Sequence, residues 1–155
     1  MNQEALTKAR GVIVEKFVAI EWTVSLIISQ RYLKKLDMEF LQDVLCDDAV
    51  NFGLRVNLLE KIEPKFEYMQ ELRKMNNIRN KFAHCHQMII EIDDASGQGR
   101  RIAVNPKKQN IEINFESLEN EFNNLFPKVN ESLFQLLLCL GAQLTPQNEH
   151  TPIIE

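Results

Sequence analysis

With 155 residues, 45% of them hydrophobic, and a formal charge of −4, the chain has material for one hydrophobic core and too little for two. An acidic balance excludes a protein that coats nucleic acid through overall positive charge. Cys46, Cys85 and Cys139 are widely spaced and form no CxxC pair, which points to a reduced, cytoplasmic chain rather than a disulfide scaffold.

Met1 to Arg10 is polar and mixed in charge, unlike a secretory leader. The apolar stretch from Phe17 to Ile28 is interrupted by Glu21 and falls short of the ~20 residues that a bilayer requires, so no membrane partner is expected. Val18, Ile20, Trp22, Val24 and Ile27 instead read as the core of a first helix, about Gln3 to Tyr32, covered on several sides. A shorter helix over Phe40 to Leu45 follows an N-cap at Asp37. A third begins near Asn51, carries Leu54, Leu58, Leu59 and Ile62, and stops before Pro64, because proline disfavours helix in the residue that precedes it.

From about Glu67 to His84, Leu72, Met75, Ile78 and Phe82 recur at helical spacing and form a stripe that faces a core. At about 100° per residue, Arg73, Asn76, Asn80 and His84 fall on another flank, with Asn80 one turn before His84. Asn80 is placed to orient the imidazole or to share its ligand. Arg79 lies on the margin of the apolar stripe, where a guanidinium needs a partner. One explanation is a structural ion pair, with Glu21 of the first helix as the candidate.

The other explanation is chemical. Arg79-Asn80-Lys81-Phe82-Ala83-His84 supplies a fixed cation and a titratable imidazole, the two tools of phosphodiester cleavage: one charge for the phosphorane, one group to move a proton. On a single helix Arg79 and His84 are separated by about 140° of rotation and ~7.5 Å of rise. They converge more readily if two copies of the helix end meet across a two-fold axis.

These residues, preceded by Asn77-Ile78, resemble the signature helix of the HEPN superfamily, in which Arg, a following polar residue and a later His form an R-x4-6-H motif. The helix from Phe52 to Leu59 before it and the long amphipathic helix after it are similar to that family's all-helical bundle. The resemblance implies a mainly α fold and a metal-independent endoribonuclease working as a homodimer, in toxin–antitoxin or antiviral-defence settings. It implies RNA as partner, with a protein inhibitor or antitoxin, and no cofactor. Arg79 is assigned to the phosphate, His84 to proton transfer and Asn80 to polar support of either. Other members of the superfamily are noncatalytic protein- or nucleotide-binding modules, the alternative reading here. HEPN toxins paired with a nucleotidyltransferase antitoxin often carry Tyr two residues after the His; this chain has His86 there.

Charge placement adds a candidate RNA surface. Arg73, Lys74, Arg79, Lys81, Arg100, Arg101, Lys107 and Lys108 all lie between positions 73 and 108, with His84 and His86 among them and few acids to oppose them. Arg73, Lys74, Lys81, His86, Arg100 and Arg101 are the RNA-binding candidates; an ordinary solvated face is the other reading. His84-Cys85-His86 is not a metal site, since three consecutive side chains cannot converge on one ion from a helix and no matching pair exists elsewhere.

After His86 the period shortens to that of strands: Met88 to Ile92, a turn-rich Asp93 to Gly99, Arg101 to Val104, then Ile111 to Ile113. A small hairpin or three-stranded insertion at about 88–113 is expected, as a cover for the bundle or as a lid beside the motif. The last helix is expected from near Ser117 to Leu144, with Leu118, Phe122, Leu125, Val129, Leu133, Leu136 and Leu140 on one stripe. Pro127 should kink it or divide it at Phe126. The run Leu136-Leu137-Leu138 suits a doubly buried helix, a dimer seam or a monomeric core. The domain therefore spans 1–144, and 145–155 forms a flexible tail with Pro146 and Pro152.

Overall fold

The computed structural model describes residues 3–47, 50–84, 86–92, 99–105 and 108–141, and 86–92, 99–105 and 108–112 through their backbone alone. The protein is mainly α. Its helices are α1 (Gln3–Leu33), a short π-helix (Phe40–Leu45), α2 (Phe52–Ile62), α3 (Met69–His84) and α4 (Phe115–Cys139). Between α3 and α4 the backbone forms strands β1 (His86–Ile92), β2 (Gly99–Asn105) and β3 (Lys108–Glu112), paired antiparallel in the order β1-β2-β3. The expected tail at 145–155 lies outside the described residues.

Side-chain pairs fix how the helices run. Phe82 stacks obliquely on Phe115, with ring centroids 4.9 Å apart; Lys74 pairs with Glu121; and Ser132 Oγ donates to Glu67 Oε1 at 3.5 Å. Rising numbers on one helix meet falling numbers on the other, so α3 and α4 are antiparallel. Lys16 Nζ donates to Asn123 Oδ1 at 2.8 Å, and Gln30 Nε2 donates to the Leu140 carbonyl at 3.2 Å, so α4 runs parallel to α1. The motif helix therefore runs opposite to α1. One continuous core lies between them, built on Phe17, Ile20, Val24 and Ile27 of α1, Val56 and Leu59 of α2, Leu72, Met75, Ile78 and Phe82 of α3, and Phe122, Val129, Leu133 and Leu137 of α4.

Local chemistry sets the ends. Asn51 Oδ1 accepts the Leu54 N–H at 3.1 Å and Asn114 Oδ1 accepts the Ser117 N–H at 3.0 Å, each satisfying a donor that the helix start leaves open. Asp37 Oδ1 does the same for Phe40 at 3.0 Å. The hydrogen bond from Lys35 and the Phe40 N–H hold the Asp37 carboxyl below its ordinary range. Buried Ser29 ties the end of α1 to this turn, donating to the Lys35 carbonyl at 3.0 Å and accepting the Asp37 N–H at 3.2 Å. Helix α4 stops at a glycine in the left-handed region, Gly141 with φ 82°, whose N–H donates to Leu138 O at 2.9 Å.

Four expectations change. The region Phe40–Leu45 is wound as a π-helix, closed by Cys46 N–H to Leu41 O at 2.8 Å. Of the kink or division expected at Pro127 the division does not occur, since α4 runs through it, and the helix ends at Cys139 rather than Leu144. Pro127 is exposed, so water on that side can take up the carbonyl that proline leaves without a donor. Leu54 of α2 is exposed, and Phe52 and Val56 supply its buried face. Helix α1 is not covered all round: Val18 is 55% exposed and Trp22 40%, while Ile20, Val24 and Ile27 are buried. Leu136-Leu137-Leu138 divides likewise, with Leu137 buried, Leu136 half-buried and Leu138 exposed.

Two stability outcomes follow from this packing. Phe82 is fully buried against Phe115, so Phe82→Ala should cost about 3–5 kcal/mol in urea unfolding. Lys34 sits at φ 60° directly after α1, a conformation that a Cβ disfavours by ~1–2 kcal/mol; Lys34→Gly should therefore raise the melting temperature, and an unchanged or lower value would show that the side chain contributes there.

Candidate functional site

Arg79 stands where α3 meets α1. Its Nη2 donates to Glu21 Oε1 at 2.9 Å, its Nη1 donates to Asn80 Oδ1 at 3.0 Å, and its Cζ lies 4.8 Å from the centroid of the Phe17 ring. The ring itself is fixed, buried and packed edge-on against Phe52 at 4.7 Å. Phe17 and Glu21 are one turn apart on α1 and so share a side of that helix. Together they present an aromatic face and a carboxylate to one guanidinium, both of which attract it.

The structure realises the ion pair considered for Arg79, and with the expected partner. It does not seal the group: the Arg79 and Glu21 side chains are each 25% exposed. A guanidinium carries five N–H donors. Among the described residues Glu21 and Asn80 engage one nitrogen each, which leaves further donors for a ligand that reaches the exposed side.

His84 is the last residue of α3 and is exposed, as is Ala83, while Phe82 is buried between them and the core. Asn80 is half-buried, and its carbonyl oxygen is directed to Arg79. Its described side-chain contact is thus with Arg79. Glu21 and Phe17 complete the site from α1. In the sequence Phe17 was only the start of an apolar stretch; the signal that could have found it is an aromatic residue and an acid at i and i+4, ready to hold a cation from a neighbouring helix.

The remaining cations are less concentrated than their positions in the chain suggest. Arg73 pairs with Glu60 at 2.8 Å and donates to Asn57 Oδ1 at 3.2–3.3 Å, both on α2. Lys74 pairs with Glu121 on α4. Acids are thus not scarce around this segment, because sequence-distant helices bring Glu21, Glu60 and Glu121 against it. Arg73 and Lys74 point to different neighbours and do not form one basic face. Lys81 is half-buried and makes no ion pair among the described residues. His86 lies on β1, and Arg100 and Arg101 on β2; their side chains, with Cys85 and Lys107, lie outside the described residues.

A second arginine reaches the same stretch of α1. Arg55 of α2 donates from Nη1 to Ser25 Oγ at 3.4 Å and from Nε to the Val50 carbonyl at 3.2 Å, one turn beyond Glu21. Among the described residues no group of three or more His, Cys, Asp or Glu side chains is arranged to hold a metal ion, and no helix is long and apolar enough to cross a membrane. Cys46 and Cys139 are free thiols. Comparison with protein-family models, curated proteins and solved structures finds no match.

The two kinds of cation on α3 should behave differently. Arg73→Ala removes a half-exposed pair and should cost no more than about 1 kcal/mol in urea unfolding. Arg79→Ala removes a pair, a hydrogen bond and a ring contact together and should cost about 2 kcal/mol; equal losses would mean that the Phe17–Glu21 setting adds nothing to the fold.

Proposed function

We propose that this chain is a HEPN-like helical bundle acting as a metal-independent endoribonuclease, with Arg79, Asn80 and His84 at a cleft shared by two copies. The observation that carries the reading is the state of the motif: an immobilised, partly exposed guanidinium and an exposed imidazole five residues apart on one helix end. The β1-β2-β3 segment would be an insertion in that bundle, next in sequence to His84, with His86, Arg100 and Arg101 on it as further contacts for an RNA backbone. Lys81, on the motif's last turn, would be the nearest of those contacts. Arg73 and Lys74, already engaged by Glu60 and Glu121, are weaker members of the set.

The chemistry needs no metal. One His84 takes the proton from the RNA 2′-hydroxyl, whose oxygen attacks the adjacent phosphorus. The bond from phosphorus to the 5′-oxygen breaks, and His84 of the second copy protonates that leaving oxygen. A 2′,3′-cyclic phosphate and a 5′-hydroxyl result. Arg79 stabilises the charge that gathers on the phosphorane oxygens, and Asn80 keeps the guanidinium in place. A toxin or antiviral-defence role in the cytoplasm, held in check by a protein inhibitor, fits such an activity.

A second reading is favoured by a specific contact. Because Arg79 is neutralised by Glu21, the same residues would also suit a noncatalytic HEPN-like module in which the arginine fastens α1 to α3 and the exposed helix end binds a protein or nucleotide.

Cleavage of a mixed RNA pool separates the two. The nuclease reading expects activity that persists in EDTA, leaves cyclic-phosphate ends and falls by about 10²–10⁴-fold in His84→Ala, with Arg79→Ala at least as impaired. Sizing in solution should give a dimer. Full cleavage by either variant, or no cleavage by a dimeric protein at high concentration, favours the binding module.

A further inference from the structure

Glu21 has two opposed effects on the guanidinium it touches. Its Oε1 holds Arg79 Nη2 at 2.9 Å while Asn80 holds Nη1 and the Phe17 ring lies beneath, so the group is fixed with donors still open. Its charge, fixed beside that nitrogen, opposes any phosphate that comes to those donors. Glu21 is itself anchored, since α1 carries it with buried Ile20 and Val24 on either side, and Ser25 Oγ donates to its backbone carbonyl at 2.9 Å.

We infer that Glu21 is a positioning residue that sets the phosphate affinity of Arg79: its carboxylate aims the guanidinium and, by offsetting its charge, keeps the grip on a phosphodiester loose. This rests on the reading that Arg79 meets an RNA phosphate, though not on cleavage. The two effects separate by substitution. Glu21→Gln keeps an oxygen that accepts from Nη2 and removes the charge; Glu21→Ala removes both.

The test is binding of a fluorescein-labelled 2′-O-methyl RNA oligonucleotide, which cannot be cleaved by 2′-hydroxyl attack, followed by anisotropy at low salt. Trp22, the single tryptophan and the neighbour of Glu21, reports by its emission that each variant keeps the local fold. Glu21→Gln should bind about three- to tenfold tighter than wild type, a gain that shrinks as salt is raised. Glu21→Ala should bind at least about threefold more weakly than Glu21→Gln, because an unaimed guanidinium must be ordered on binding. In an Arg79→Ala background the differences should vanish. If Glu21→Ala does not fold, Glu21→Asp replaces it: the charge stays, the carboxylate retreats by one methylene, and binding weaker than wild type is expected.

Equal affinity of the Gln and Ala variants overturns the inference, as do differences that survive Arg79→Ala and the absence of binding by every variant. Failure of the underlying reading looks different. If the oligonucleotide binds with the Glu21 and Arg79 dependence described but RNA is never cleaved, the nuclease reading falls and the role of Glu21 stands; if Arg79→Ala abolishes cleavage while the Glu21 variants bind alike, the reverse holds.

Discussion

A cation at the seam of two antiparallel helices constrains this fold more than any other single group. Burying a guanidinium without compensation is costly, and the cost is removed only by an opposite charge or by hydrogen bonds of good geometry. Arg79 obtains a carboxylate from one helix, an amide oxygen from its own, and an aromatic face beneath. These contacts favour the present register of α3 on α1, because sliding by one turn would offer Arg79 the pair Ile13 and Phe17, or Glu21 and Ser25, in place of Phe17 and Glu21, and neither pair sets a carboxylate one turn beyond a ring. The apolar stripe alone tolerates such a shift better, since Leu72, Met75, Ile78 and Phe82 offer similar surfaces at each turn. Ionic pairing thus adds specificity to a core that supplies most of the attraction.

Helix α3 is held in this way from three sides. Glu60 of α2, Glu121 of α4 and Glu21 of α1 each meet one of its cations. The outer two pairs are largely exposed and contribute little to stability individually. Their effect is on charge: they cancel the basic character of the helix over most of its length, in a chain that is acidic overall. A linear reading of charge between positions 73 and 108 misses this, because the opposing acids come from elements 13 to 58 residues away in sequence.

What the sequence made legible follows from how local the physics is. The α3 stripe, the cap at Asp37, the helix start near Asn51 and the stop before Pro64 depend on neighbours a few residues apart, and all are found. The Arg79–Glu21 pair was also within reach, since a cation on the edge of an apolar stripe demands an acid and α1 places Glu21 within an otherwise apolar stretch. The one-sided exposure of α1 was not. Val18 and Trp22 belong to a run that is apolar almost all round, and only the number and placement of the other helices decide which side stays uncovered. The division considered at Pro127 was undecidable for a related reason: the effect of proline on a helix depends on whether the freed carbonyl meets solvent, and it is the fold that turns Pro127 outward.

The same accounting locates where α3 can still act on an anion. Arg73 and Lys74 are neutralised in its first half, and Arg79 is neutralised but retains open donors and a quarter of its surface. The last turn carries Lys81 and His84, and among the described residues neither meets an acid. Among the described residues, then, no carboxylate has to be displaced before a ligand reaches either of them. Side chains free of an acid therefore lie toward the end of α3, and Arg79 sits at the transition. A phosphate approaching the helix end would meet the exposed imidazole of His84 there, with the fixed guanidinium set further back along the helix. In the proposed site, proton transfer would belong to the helix end, and geometric precision to the arginine that the rest of the bundle holds still.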